Sequence, residues 1–110
     1  SAFAPIVAPS QVPWGQKALP RYLGEDAGLW ADHDACALIA KGPYPGEILI
    51  DQGLGDKFLD TQLLPEHFRT ACAAVGQELR LRLHANYDHG YYFIQSFMAD
   101  HLAHHAKNLA

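Results

Sequence analysis

The chain has 110 residues, enough for one domain or part of one. Hydrophobic residues make up 49% and charged residues only 18%; typical soluble domains carry about 25% charge, so the composition excludes global disorder and points to a surface more covered than that of a free domain. Eight Lys+Arg against twelve Asp+Glu, a net charge of −4 and no basic run exclude the electrostatic footprint of nucleic-acid or acidic-lipid binding.

No apolar stretch approaches the roughly 18 residues of a membrane span, so no membrane role is expected. The chain starts Ser1-Ala2-Phe3 without an initiator Met or a leader pattern, the expectation for a processed or excerpted piece. Cys36 and Cys72 have neither metal nor redox spacing and read as small buried hydrophobes of a cytoplasmic protein.

Taken in chain order, Ser1–Val7 reads as the end of a buried strand. Residues 5–46 hold six of the seven prolines and both tryptophans, which predicts an irregular excursion with short helices. Within it, a turn of helix over Gln16–Leu19 ends before Pro20, and Asp34 caps a helix over Ala35–Lys41 that Gly42 and Pro43 stop. Glu47–Ile50 leads a second buried strand into Asp51-Gln52-Gly53. An amphipathic helix starts near Pro65 and stops at Gly76. Leu79, Leu81 and Leu83 alternate with Arg80, Arg82 and His84, a strand with one more exposed face. A final helix over Tyr91–Leu109 places Ile94, Phe97, Met98, Leu102 and Leu109 on one face. The order strand, excursion, strand, helix, strand, helix predicts an α/β fold, parallel strands covered by helices, with the first strand as an open edge.

In such sheets ligands bind beyond the carboxyl ends of the strands. Two loops carry reactive side chains there: Asp51–Phe58 after the second strand and Asn86–Phe93 after the third. An acid from the first loop within reach of His89 would hold one ring nitrogen and free the other to take a proton from a nucleophile. Acid then histidine, each after its own strand, is the chain order of the α/β-hydrolase fold. Two plainer readings compete: His89 satisfied by its neighbour Asp88, and Asp56 as the cap of a helical turn. The only serines are Ser1, Ser10 and Ser96, none of them in Gly-x-Ser-x-Gly, so these residues do not assemble a complete triad.

Elsewhere, His101 and His105 stand one helical turn apart on the apolar stripe. With no third ligand in view, they read as partly buried histidines rather than a metal site. Trp14 either walls a substrate pocket or plugs the space under the loop. Tyr91, Tyr92 and Phe93 read as packing of the last helix on the sheet.

The segments SAFAPI, VPWGQKAL, RYLGED, ILIDQG with DKFL, and YDHGYYFIQSFMADHLAHHAK resemble, in order and over essentially the whole chain, the C-terminal part of the S-formylglutathione hydrolase (esterase D) family. The resemblance implies an α/β-hydrolase fold and hydrolysis of S-formylglutathione, a glutathione thioester, to formate and glutathione. It also implies cleavage of small esters, without cofactor or metal. Carried over by position, it implies Asp56 as triad acid and His89 as triad base, with Asp51 and Asp88 as structural neighbours. The serine and the oxyanion loop would lie before residue 1, so residues 1–110 would be the C-terminal portion of a single domain. Gly90 stands where the family commonly has serine, and Gly55 where it commonly has an acid. The partner expected is the missing N-terminal portion or a second copy. A truncated, non-catalytic oligomeric or binding module is the competing reading.

Overall fold

The computed structural model describes residues 1–110. Three parallel strands, β1 (Ala2–Phe3), β2 (Ile48–Gly53) and β3 (Leu79–His84), form one sheet in the order β1-β2-β3. The helices are α1 (Pro13–Leu23), α2 (Ala27–Trp30), α3 (Ala35–Ala40), α4 (Pro65–Val75) and α5 (Tyr91–Leu109). Parallel neighbours need crossovers, and α4 supplies the one between β2 and β3. None of the helices is long and apolar enough to cross a membrane.

Local chemistry accounts for most boundaries. The Asp34 carboxylate accepts the Ala37 N–H at 3.0 Å and starts α3. Pro65 occupies the first turn of α4, and Gly76, at φ 72°, ends it in the left-handed conformation that glycine adopts without strain. Several boundaries differ from expectation. β1 stops at Phe3 rather than running on to Val7, because Ala4, at φ 45°, leaves the extended conformation, and α1 begins at Pro13 rather than Gln16. β2 runs on through Asp51-Gln52-Gly53 instead of ending before them. And α1 passes straight through Pro20. Proline removes one intrahelical bond there, but only one turn remains beyond it, and the Gly24 N–H closes that turn on the Pro20 carbonyl at 3.0 Å. Gly15 also presses on the Pro9 backbone, so the helix is held from its other end.

Side chains of β2 alternate between two cores. Ile48 and Ile50 join Val7, Ile39, Phe68 and Cys72 beneath α3 and α4. Cys36 and Cys72 are both free thiols there, and burial pushes both up, Cys36 to about 11. On the opposite face Phe93 packs with Ala4 and Leu63, flanked by Phe3 and Phe97.

That second face also buries a charge. Asp51, 0% exposed, accepts four hydrogen bonds: from Arg82 Nε and Nη2 at 2.6 Å each, His84 Nε2 at 2.7 Å and His101 Nε2 at 2.6 Å. Each carboxylate oxygen receives two donors, which fills its capacity. The His101 ring stacks on Phe3 and the His84 ring on Phe97, both at 3.8 Å between centroids. The polar side of β3 is therefore only partly exposed: Arg82 and His84 turn inward to Asp51, whereas Arg80 at the start of the strand and Leu83 on the other face are the residues left exposed. The same cluster sets the rotation of α5. Its buried residues are Phe93, His101 and His104, whereas Met98, Leu102 and Leu109 of the expected stripe are exposed.

Burial by itself would raise the Asp51 carboxyl, but the hydrogen bonds from Arg82, His84 and His101, with the Arg82 charge, hold it down to about 2. A carboxyl lowered on folding stabilises the fold above its unfolded value and loses that contribution as pH falls through the folded one. Urea titrations should show stability falling by on the order of 2 kcal/mol between about pH 4 and pH 2 through this group. Asp51→Asn should flatten that segment and cost about 3–5 kcal/mol at neutral pH, because it leaves the Arg82 charge without its buried partner.

Candidate active site

The carboxyl ends of β2 and β3 are stitched together by backbone. The Leu54 N–H donates to the His84 carbonyl and the Gly55 N–H to the Tyr87 carbonyl, both at 2.9 Å. Gly53 allows this approach, since a Cβ there would stand 2.3 Å from the Tyr87 oxygen. Asn86, at φ 67°, turns the second loop back over the first. The two loops thus become one rigid edge, and the side chains they carry have fixed separations.

Asp56 and His89 meet on that edge. His89 Nδ1 lies 2.7 Å from Asp56 Oδ2. The other oxygen, Oδ1, accepts the Phe58 N–H at 2.8 Å, so Asp56 both caps its turn and holds the imidazole. Oδ2 takes a second donor, Gln52 Nε2, at 3.1 Å. Asp56 is 5% exposed, whereas the His89 side chain is 44% exposed. A carboxylate accepting at Nδ1 assigns the ring proton to that nitrogen and leaves Nε2 as the open acceptor. The Phe58 ring stands edge-on to the imidazole at 5.3 Å and limits its tilt. The competing pairing of His89 with Asp88 is not formed. Asp88 instead lies over Gly90, where a Cβ would come 2.8 Å from its Oδ1. At Gly55 a Cβ would be 3.1 Å from the Tyr87 oxygen, so both glycine positions are closely fitted to this loop pair.

His89 opens into a cavity of about 260 Å³, lined also by Ala4, Ile6, Trp14, Phe58, Gln62 and Leu63. The lining is apolar apart from His89 and Gln62, and the volume lies near the lower end of small-molecule pockets, roughly 300–1,000 Å³. Trp14 is a wall of this cavity rather than a plug: it remains 57% exposed, and its backbone N–H donates to Gln62 Oε1 at 2.9 Å, which ties the start of α1 to the π-helical turn Leu59–Leu63. A larger groove, about 490 Å³, lies between β3 and α5, but neither Asp56 nor His89 lines it and its charges largely pair among themselves, Arg82 with Asp100 at 2.9 Å and Arg80 with Glu47 at 3.4 Å.

The remaining candidates are occupied elsewhere. His101 is bonded to Asp51, and His105, exposed, to Ser1 Oγ at 2.8 Å. It is His104, not His105, that turns inward beside His101; burial, then nearby positive groups, lower its basicity. Ser10 donates to Asp34 and Ser96 to the Tyr92 carbonyl, so none of the serines engages His89. Of the three aromatics after Gly90 only Phe93 is core; Tyr91 is exposed and Tyr92 stacks outside on Tyr87. Sequence reasoning passed over Gln52, Phe58 and Gln62. Gln52 carried a signal: an amide beside Asp51 at the end of a buried strand is a second buried polar group that requires partners.

The sequence profile of the putative esterase family matches residues 1–104. The chain belongs to that family. It is 51% identical over 110 residues to S-formylglutathione hydrolase of Arabidopsis thaliana, covering 99% of this chain and 39% of the relative. A solved structure of an S-formylglutathione hydrolase from Agrobacterium tumefaciens superposes with a TM-score of 0.94 at 50% identity, again over 99% of this chain and 39% of that one. This esterase-family chain therefore has the α/β-hydrolase type of sheet expected from its sequence, and it spans well under half the length of these relatives.

The stitched edge makes a direct prediction for this family member. Gly53→Ala should drive the Tyr87 backbone outward, cost about 1–3 kcal/mol as an overpacked site does, and separate His89 from Asp56. Urea melts read the first effect. The second is read by loss of the downfield Nδ1 proton resonance of His89.

Proposed function

We propose that this chain supplies the acid and the base of a serine-type thioesterase and carboxylesterase that cleaves S-formylglutathione and small esters. Residues 1–110 then form the C-terminal portion of one α/β-hydrolase domain. The single observation that carries the reading is the 2.7 Å Asp56–His89 pair, with the imidazole opening into an apolar cavity lined by Trp14 and Phe58. The family membership and the likeness to two S-formylglutathione hydrolases support it.

The proposed chemistry follows from which nitrogen is free. A serine hydroxyl from outside these residues gives its proton to His89 Nε2 as its oxygen bonds to the formyl carbon. The resulting imidazolium is stabilised by Asp56 through Nδ1. His89 then passes that proton to the departing glutathione sulfur as the carbon–sulfur bond breaks. Water repeats the sequence on the formyl-serine: His89 takes its proton, hydroxide adds to carbon, and the serine oxygen leaves with the proton as formate is released. The small cavity suits a one-carbon or short acyl group, and Trp14 is the proposed substrate wall. Cofactor and metal have no step to perform.

Joining this chain to the upstream portion of the Arabidopsis relative tests the reading. The joined polypeptide should be labelled by a covalent serine probe and should hydrolyse S-formylglutathione, while residues 1–110 alone are neither labelled nor active. In the joined protein Asp56→Asn should lower kcat by about 10⁴, the loss seen when a triad acid no longer holds the right tautomer. His89→Ala should be at least as damaging. A folded joined protein that takes no label and turns over no thioester or ester would favour the non-catalytic module instead.

A further inference from the structure

We infer that Gln52 is a positioning residue for the Asp56–His89 pair, holding the carboxylate oxygen that the imidazole uses. The inference rests on the functional reading above for its kinetic consequence, and on geometry alone for the contact.

Gln52 lies on the central strand, 0% exposed, paired in register with Leu83. An apolar side chain would be the ordinary occupant of such a position. The amide instead reaches forward along its own strand, where Nε2 donates to the Gly53 carbonyl at 3.0 Å and to Asp56 Oδ2 at 3.1 Å. This orientation is set by chemistry: turning the amide over would put Oε1 against two acceptors. Its cost is visible, since Oε1 is buried without a hydrogen-bond partner. A buried polar side chain kept with one atom unsatisfied calls for a reason beyond packing.

The reason lies in the carboxylate. Asp56 Oδ1 is fixed by the Phe58 N–H and Oδ2 by Gln52, so the plane of the carboxylate is set independently of His89. Rotation about the Cβ–Cγ bond would break both contacts. The imidazole therefore meets an acceptor already in place, and its Nε2 faces the cavity at a defined position. Without Gln52 one of the two anchors is gone, and the carboxylate can follow the ring instead of directing it. In catalysis that is a loss of alignment, and a misplacement of 1 Å can cost up to about 100-fold in rate.

Two variants of the joined polypeptide separate this role from packing. Gln52→Met keeps length and removes both donors; kcat should fall by roughly 10- to 100-fold with KM little changed and the rising limb of the pH profile retained. Gln52→Glu is nearly isosteric and places a second carboxyl against Asp56. Two buried carboxyls in contact share a proton, and losing it makes them repel. The plateau of kcat/KM against pH should therefore become a bell with a new descending limb, and the ring resonances of His89 should report one added inflection relative to the parent. Parent-like kcat in Gln52→Met, or no added inflection and an unchanged plateau in Gln52→Glu, would overturn the positioning role. Failure of the parent itself to hydrolyse thioester or ester would instead overturn the functional reading, and the His89 titration would still decide the contact between Gln52 and Asp56. If Gln52→Glu does not fold, the kcat-against-KM split in Gln52→Met carries the decision.

Discussion

A fully saturated carboxylate at the centre of the sheet governs this molecule. Asp51 sits on the middle strand beneath the last helix, where an ionised acid is tolerable only if every lone pair is met. Arg82 meets two from the adjacent strand, His84 a third, and His101 the fourth from α5. Those partners lie on different elements, so their demands are geometric. A shift of β3 by one residue would turn Arg82 and His84 to the other face. A rotation of α5 would carry His101 away and bring Leu102 in. The register of the sheet and the roll of the helix are thus set by a charge rather than by the apolar pattern.

The loops at the carboxyl edge inherit that order. With β3 held in register, the Leu54 and Gly55 N–H groups find the His84 and Tyr87 carbonyls, and Gly53 allows the backbones to close. With α5 held in its roll, Phe93 is buried and Gly90, at the helix start, fixes where His89 leaves the loop. Asp56 and His89 are brought together by a scaffold whose stability resides further back along each strand, at Asp51 on β2 and at Arg82 and His84 on β3.

Two acids lie near each other in sequence and pair with histidines, yet they serve different ends. Asp51 binds His84 and His101 in the interior, with both rings sandwiched against phenylalanines. That arrangement stabilises, and it gives a reacting molecule nothing to touch. Asp56 is also held by several donors, three against the four on Asp51, but its imidazole is nearly half exposed and faces an apolar hollow. Access, more than pairing, separates the proposed reactive pair from the structural ones. It also explains why Trp14 and Phe58 matter: they are the walls that keep the open side of His89 apolar.

What the sequence determined by itself is local or periodic. Strand and helix order, the Asp34 cap, the Pro65 start and the Gly76 stop follow from backbone preferences within a few residues, and these were legible. So was the placement of Asp56 and His89 on neighbouring loops, because parallel topology brings successive strand ends to one edge. The tertiary structure decided the rest. Period alone could not show that Arg82 and His84 point inward, or that α5 buries His101 and His104 in preference to Leu102, since a polar face is covered only when a partner charge waits across it. Pro20 continues its helix because contacts at the other end hold it. The choice between Asp88 and Asp56 as the partner of His89, and the contact of Gln52 with that acid, depend on a few ångströms between two loops. Those distances are set by the backbone stitching at Gly53, which no residue pattern displays.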